Sequence, residues 1–204
     1  MKCDRPFCPQ SLWLLGAGWV LLSLYAGETE MLAMLPPIGP QVLIFGLTGL
    51  LLGTYFGWKS FRTAVDGWRD RTFVLVHLTR FVGIYFLVLS ARGEMDPGFA
   101  IPAGCGDIVV ALGAVALLTI QAPKWAWLLW NSLGLLDILF VVGRAAVLRF
   151  THPASLNTFC HLPLSFLPTM IVPLIIATHV VLFVRLLRRK EPNTATGSAE
   201  VIAA

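Results

Sequence analysis

Six side chains able to do proton, ligand or ion-pair chemistry lie inside stretches that are otherwise apolar. His77 and Arg80 share one stretch, Asp107 lies in the next, Asn131 and Asp137 in a third, and His179 in the last. A charged group at the centre of a bilayer costs about 2.5–3.5 kcal/mol on insertion scales, so each is expected either to act on a ligand or proton or to be paired inside the protein. An arginine, two aspartates, an amide and an imidazole facing one another would form a buried polar cavity able to bind a small solute or relay protons. Arg80, Asp107, Asn131, Asp137 and His179 are the expected members. Arg80 lies near the middle of its stretch and should be paired with Asp107 or Asp137.

His77 and His179 fall at similar depth on different helices, so three roles are open to them. They could be the two axial ligands of a haem b, as in a b-type cytochrome. They could instead serve a proton relay or substrate site, or simply pack. Cys105 and Cys160 both fall near the expected outer face, where an oxidising compartment could join them as a disulfide. The loop from Arg149 to Pro163 holds His152, Cys160 and His161, too few ligands for a metal site. Cys3 and Cys8 precede the first stretch without a companion histidine, and no metal site is assigned.

These residues must be held by membrane-spanning helices. The chain of 204 residues is 57% hydrophobic and 13% charged, with mean hydropathy +0.78, against roughly 45–50% and about 25% for a soluble domain. About 20 apolar residues cross a ~30 Å hydrocarbon core. Windows of that kind fall at about 11–27, 38–58, 72–91, 99–121, 125–147 and 163–187. The expectation is an all-α integral membrane protein, a single six-helix bundle over residues 1–190, followed by a disordered tail at 191–204. The net charge of +4 comes from basic residues beside the spans, which report orientation rather than a nucleic-acid surface. With both termini cytoplasmic, eleven of the fifteen basic residues fall inside. Trp13, Trp58, Trp68, Trp125, Trp127 and Trp130 are then expected near the inner boundary. The first window also has the length of a signal peptide, but Leu24 departs from the small-residue cleavage pattern, so it is read as a retained span.

Within this frame, spacing assigns local roles. Gly49, Gly53 and Gly57, with Gly46 before them, form a smooth stripe expected to pack inside the bundle or to mediate a homodimer. Ala103, Ala111 and Ala114 form a second small stripe that includes Asp107. Two prolines and four glycines between Arg92 and Gly106 predict a broken or re-entrant segment, with Asp107 capping a helix that begins at Ile108. Asp137 and Arg144 are seven apart and nearly eclipsed, close enough to bridge. Pro168 and Pro173 predict a kink in the last helix beside His179.

Pro102-Ala103-Gly104-Cys105-Gly106-Asp107, then Trp130-Asn131 with Gly134 and Asp137, then the proline-broken last helix with His179, together resemble an uncharacterised group of small bacterial multi-spanning membrane proteins. The resemblance implies membrane location and a shared inner polar cluster, and supplies no activity. The expected function is a polytopic inner-membrane protein of the small-solute or proton-linked transporter kind. A haem-binding redox protein and a non-catalytic membrane subunit stand as alternatives, and no residue is assigned a catalytic role.

Overall fold

A computed structural model describes residues 9–188. The readings placed on Lys2, Cys3, Arg5, Cys8, Arg189, Lys190 and the tail at 191–204 lie outside the described residues. The helices are α1 (Pro9–Glu28), α2 (Gly39–Gly57), α3 (Lys59–Asp66), α4 (Asp70–Val76), α5 (Val82–Ala91), α6 (Pro97–Thr119), α7 (Lys124–Thr151) and α8 (Val172–Arg188). A 3-10 turn, His77–Phe81, joins α4 to α5; a 3-10 segment, Pro153–Cys160, follows α7; a π-helical turn, Leu167–Ile171, leads into α8. No strand occurs among the described residues. Among the described residues, four helices are long and apolar enough to cross a membrane: Gly39–Gly57, Asp70–Ala91, Pro97–Thr119 and Leu167–Arg188. Helix α7, about 42 Å long at ~1.5 Å per residue, packs along α6 and α8.

The segment before Asp107 corrects the expectation of a broken entry. Helix α6 is continuous from Pro97, and Asp96 is its N-cap, accepting from the Phe99 N–H at 3.1 Å. Proline at the first helical position needs no amide partner, so Asp96-Pro97 is a start signal rather than a breaker. Asp107 therefore lies mid-helix and caps nothing. Pro102 sits inside α6, where its missing N–H leaves the Gly98 carbonyl without the partner four residues on. Arg144 Nη2 donates to that carbonyl at 2.9 Å. This is where Arg144 goes, rather than to Asp137. Asp96→Ala is expected to cost about 0.5–2 kcal/mol by loss of the cap. A denaturation curve in detergent checks it, and an unchanged midpoint would mean that the cap contributes nothing.

The last helix repeats this device. Pro173 lacks the N–H that would reach the Thr169 carbonyl, and the Trp19 indole donates to that carbonyl at 2.9 Å. The expected interruption at Pro168 is the π-helical turn itself. Trp19 also ties α1 to the bundle, while Trp13, Leu14 and Leu22 of that helix stay exposed.

Close crossings are set by glycine. At Gly83 an added Cβ would collide with the Gly104 carbonyl oxygen, and at Gly104 it would stand 2.7 Å from the Gly83 carbonyl oxygen. Backbone thus meets backbone where α5 crosses α6. Ala103, Asp107, Ala111 and Ala114 are all buried on the same face of α6. The other stripe behaves differently: nothing lies within 4 Å of a Cβ at Gly46, Gly49, Gly53 or Gly57. The expected packing of that stripe inside the chain is corrected. Residues of α2 that do face inward are Gln41, Ile44, Thr48 and Tyr55.

One end of the bundle carries the loops at 29–38, 92–96 and 152–166; the other carries α3, the 120–123 turn and the end of α8. At this second end Arg185 pairs with Asp70 at 3.0 Å, donates to the Trp68 carbonyl at 2.7 Å and lies over the Phe73 ring at 5.0 Å. The α3–α4 connection is thereby held against α8.

Candidate functional site

The 3-10 turn brings His77 and Arg80 to one face. In that geometry side chains three apart eclipse, and the two are 0% and 1% exposed. Its cause is local: Thr79 Oγ1 donates to the Val76 carbonyl at 2.7 Å, an i to i−3 bond that competes with the α-helical ladder. Gly83 follows and lets α6 approach.

Arg80 uses three of its donors. Nε donates to Asp107 Oδ1 at 2.6 Å, Nη1 to the Gly134 carbonyl at 2.9 Å, and Nη2 to Asp137 Oδ2. Both candidate aspartates are partners, so the expected choice between them does not arise. The sequence explains the room they occupy. A Cβ at Gly106 would run into the Asp137 carboxylate, so α6 must be bare there for α7 to bring Asp137 in. Asp137 and Gly134 are one helical turn apart on α7, which lets one guanidinium reach both the carboxylate and the carbonyl.

Adjacent to this triad is an aromatic and amide group. His179 Nδ1 donates to Asn131 Oδ1 at 2.8 Å, and Asn131 Nδ2 donates to the His179 carbonyl at 3.1 Å. His77 and His179 are in ring contact, with centroids 4.1 Å apart. Thr178 Oγ1 lies 3.3 Å from His77 Nε2. Trp130 stands edge-on to His77 at 5.0 Å and donates to the Val110 carbonyl at 2.9 Å. It is 8% exposed and packs inside the bundle, whereas Trp13, Trp58, Trp68 and Trp125 are exposed. Gly134 links the two groups, since a Cβ there would lie 2.7 Å from His179 Cε1. His77 Nδ1 and His179 Nε2 are buried without a hydrogen-bond partner among the described residues.

The geometry bears on the chemistry expected of the histidines. A haem with two axial histidines places its macrocycle between the imidazoles, and here the rings touch with no slot between them. The residues present do not fit that group in this arrangement. No cluster of three or more histidine, cysteine or acidic residues suited to a metal ion occurs among the described residues. Cys105 and Cys160 are both free thiols, the first exposed and the second buried. The expected disulfide is corrected because Cys105 lies two turns inside continuous α6 rather than in a loop.

A cavity of about 90 Å³ adjoins the triad. Arg80, Asp107, Ile138 and Ile175 line its deep end; Leu32, Pro40 and Arg149 line the end nearest the loops. The walls between are apolar, including Phe86, Phe99 and Phe159. Gln41 lines the cavity as well, and neither it nor Arg149 nor these phenylalanines is singled out as a site residue by the sequence. Gln41, a polar residue inside an apolar window, was the available signal; the phenylalanines carry none, since an aromatic in a span reads as lipid-facing or core alike.

Residues 37–187 match the family model described as a domain of unknown function, DUF8737, and the chain belongs to that family. No curated protein and no solved structure matches it.

Proposed function

We propose that this DUF8737 member is a multi-pass protein of the inner (plasma) membrane, with both termini cytoplasmic, that works as a small proton-linked transporter-like protein. One observation carries the reading: a single buried guanidinium is shared by two carboxylates at the deep end of a cavity. Arg80 supplies one positive charge and Asp107 and Asp137 two negative ones, so the triad is one charge short of neutrality. In a low-dielectric interior an uncompensated charge is expensive. One proton or one cationic group completes the set, and Asp107 meets the cavity from which either would come.

The placement of basic residues supports the orientation. Lys59, Arg62, Arg69, Arg71, Lys124, Arg185 and Arg188 lie toward the α3 end, and Arg92, Arg144 and Arg149 toward the other. A small-solute carrier needs a site reachable through the bundle, and the cavity runs from the loop end toward the middle of α6 and α7.

Reconstituted vesicles holding a pH-reporting dye test the function. With a pH gradient and a compensated membrane potential, wild-type vesicles should carry protons faster than empty ones when a transported solute is supplied. Asp107→Asn, which removes the charge deficit, should fall to the empty-vesicle rate. Equal rates for wild type and Asp107→Asn across a solute panel would reject the proton-linked reading.

A further inference from the structure

We infer that the cavity takes a short-chain primary amine, with the ammonium group against Asp107. The inference rests on the proposed function and names its substrate class. Size sets the first limit. An engineered apolar cavity of about 150 Å³ holds the six carbons of benzene, so the present cavity of about 90 Å³ suits a ligand of about four non-hydrogen atoms. Chemistry of the wall sets the second. Phe86, Phe99 and Phe159 stand in mutual contact with centroids 5.6–6.2 Å apart, and with Ile138 and Ile175 they offer only apolar surface to the body of a ligand.

The polar end decides the head group. Arg80 is already bonded to Asp107, Asp137 and the Gly134 carbonyl, so it has little left for an anion. The two carboxylates leave one negative charge unmatched, and Asp107 is the one that lines the cavity. The charged and titratable groups around the deep end are Arg80 from the 3-10 turn, Asp107 from α6, Asp137 from α7, and His77 and His179 behind them. Arg149 is at the far end, at least ten residues along α7 from Asp137. An ammonium at Asp107 restores neutrality; a carboxylate there would double the deficit. The amine and a proton then compete for one vacancy of charge, so binding the amine displaces the proton.

Calorimetry on the full-length protein in detergent tests this with three molecules of similar size: isopropylamine, isopropyl alcohol and acetate. In two buffers of different ionisation heat, and at a pH where the triad holds its proton, isopropylamine should bind with release of one proton. Acetate should not bind. In Asp107→Asn the affinity for isopropylamine should fall by about tenfold or more, as for loss of a charge-assisted partner, while isopropyl alcohol is little changed. Val142→Trp, which fills the cavity, should lose the alcohol and the amine together. Acetate binding in place of the amine, amine binding with no proton release, or amine binding undiminished by Asp107→Asn would each overturn the inference. So would failure of all three molecules to bind. Proton uptake by the ligand-free triad is read separately, by infrared spectroscopy, so the substrate inference can fail while the proton-linked reading stands.

Discussion

Arg80→Leu should destabilise the protein by about 3–5 kcal/mol, the usual consequence of removing one partner from a buried ion pair. The loss arises because two carboxylates are left without their cation. Their environments differ: the Asp107 side chain is 6% exposed and the Asp137 side chain 20%. An uncompensated charge costs more where less water reaches it, so adding Asp107→Asn to Arg80→Leu should recover more stability than adding Asp137→Asn. The triple variant should recover most of all, since replacing a whole buried ionic set by neutral groups is far milder than breaking it. Melting curves in detergent give the order. Equal recovery by the two double variants would mean that the aspartates are equally dry, and no recovery by the triple variant would mean that Arg80 acts through something other than charge.

Gly83→Ala should be the most damaging methyl addition in the bundle. The new Cβ would meet the Gly104 carbonyl oxygen and stand 2.9 Å from Asp107 Cβ. Neither neighbour is a flexible side-chain end, so α5 and α6 must separate, and overpacking of this kind costs about 1–3 kcal/mol or more. Separation would also draw Asp107 away from Arg80. Gly53→Ala makes the comparison sharp: its Cβ meets nothing within 4 Å, and alanine is favoured over glycine in a helix by about 1 kcal/mol. It should be neutral or stabilising. Finding Gly83→Ala as stable as Gly53→Ala would show that the α5–α6 crossing is wider than described.

The identity of the site residues was legible in the sequence because hydrocarbon makes charge conspicuous: Arg80, Asp107, Asn131, Asp137 and His179 stand out from their spans by type alone. Their pairing was less so. Choosing one aspartate for Arg80 assumed a two-body bridge, whereas Gly106 lets α7 come close enough for Asp137 to join Asp107. Asp96-Pro97 beside Pro102 has the composition of a break, yet aspartate before proline starts a helix, and the freed Gly98 carbonyl is taken by a residue 46 positions away. Such compensation is invisible to local rules. The glycine stripe of α2 has the spacing of a packing face, yet only three-dimensional arrangement decides which face a helix turns inward. The cavity was not legible at all, since its wall is made of ordinary Phe, Ile and Val from seven elements.

The central claim is the charge count: one guanidinium against two carboxylates leaves room for one proton, held by the pair rather than by either residue. Infrared difference spectra between alkaline pH and a mildly acidic pH, held above the range of about 4 where exposed carboxylates protonate, test it most directly, through the carbonyl stretch of a protonated carboxyl group. Wild-type protein should gain one such band on acidification. Asp107→Asn and Asp137→Asn should each abolish it, because either change leaves a balanced pair with Arg80. A band that survives in both variants, or that never forms in the wild type, would contradict the account.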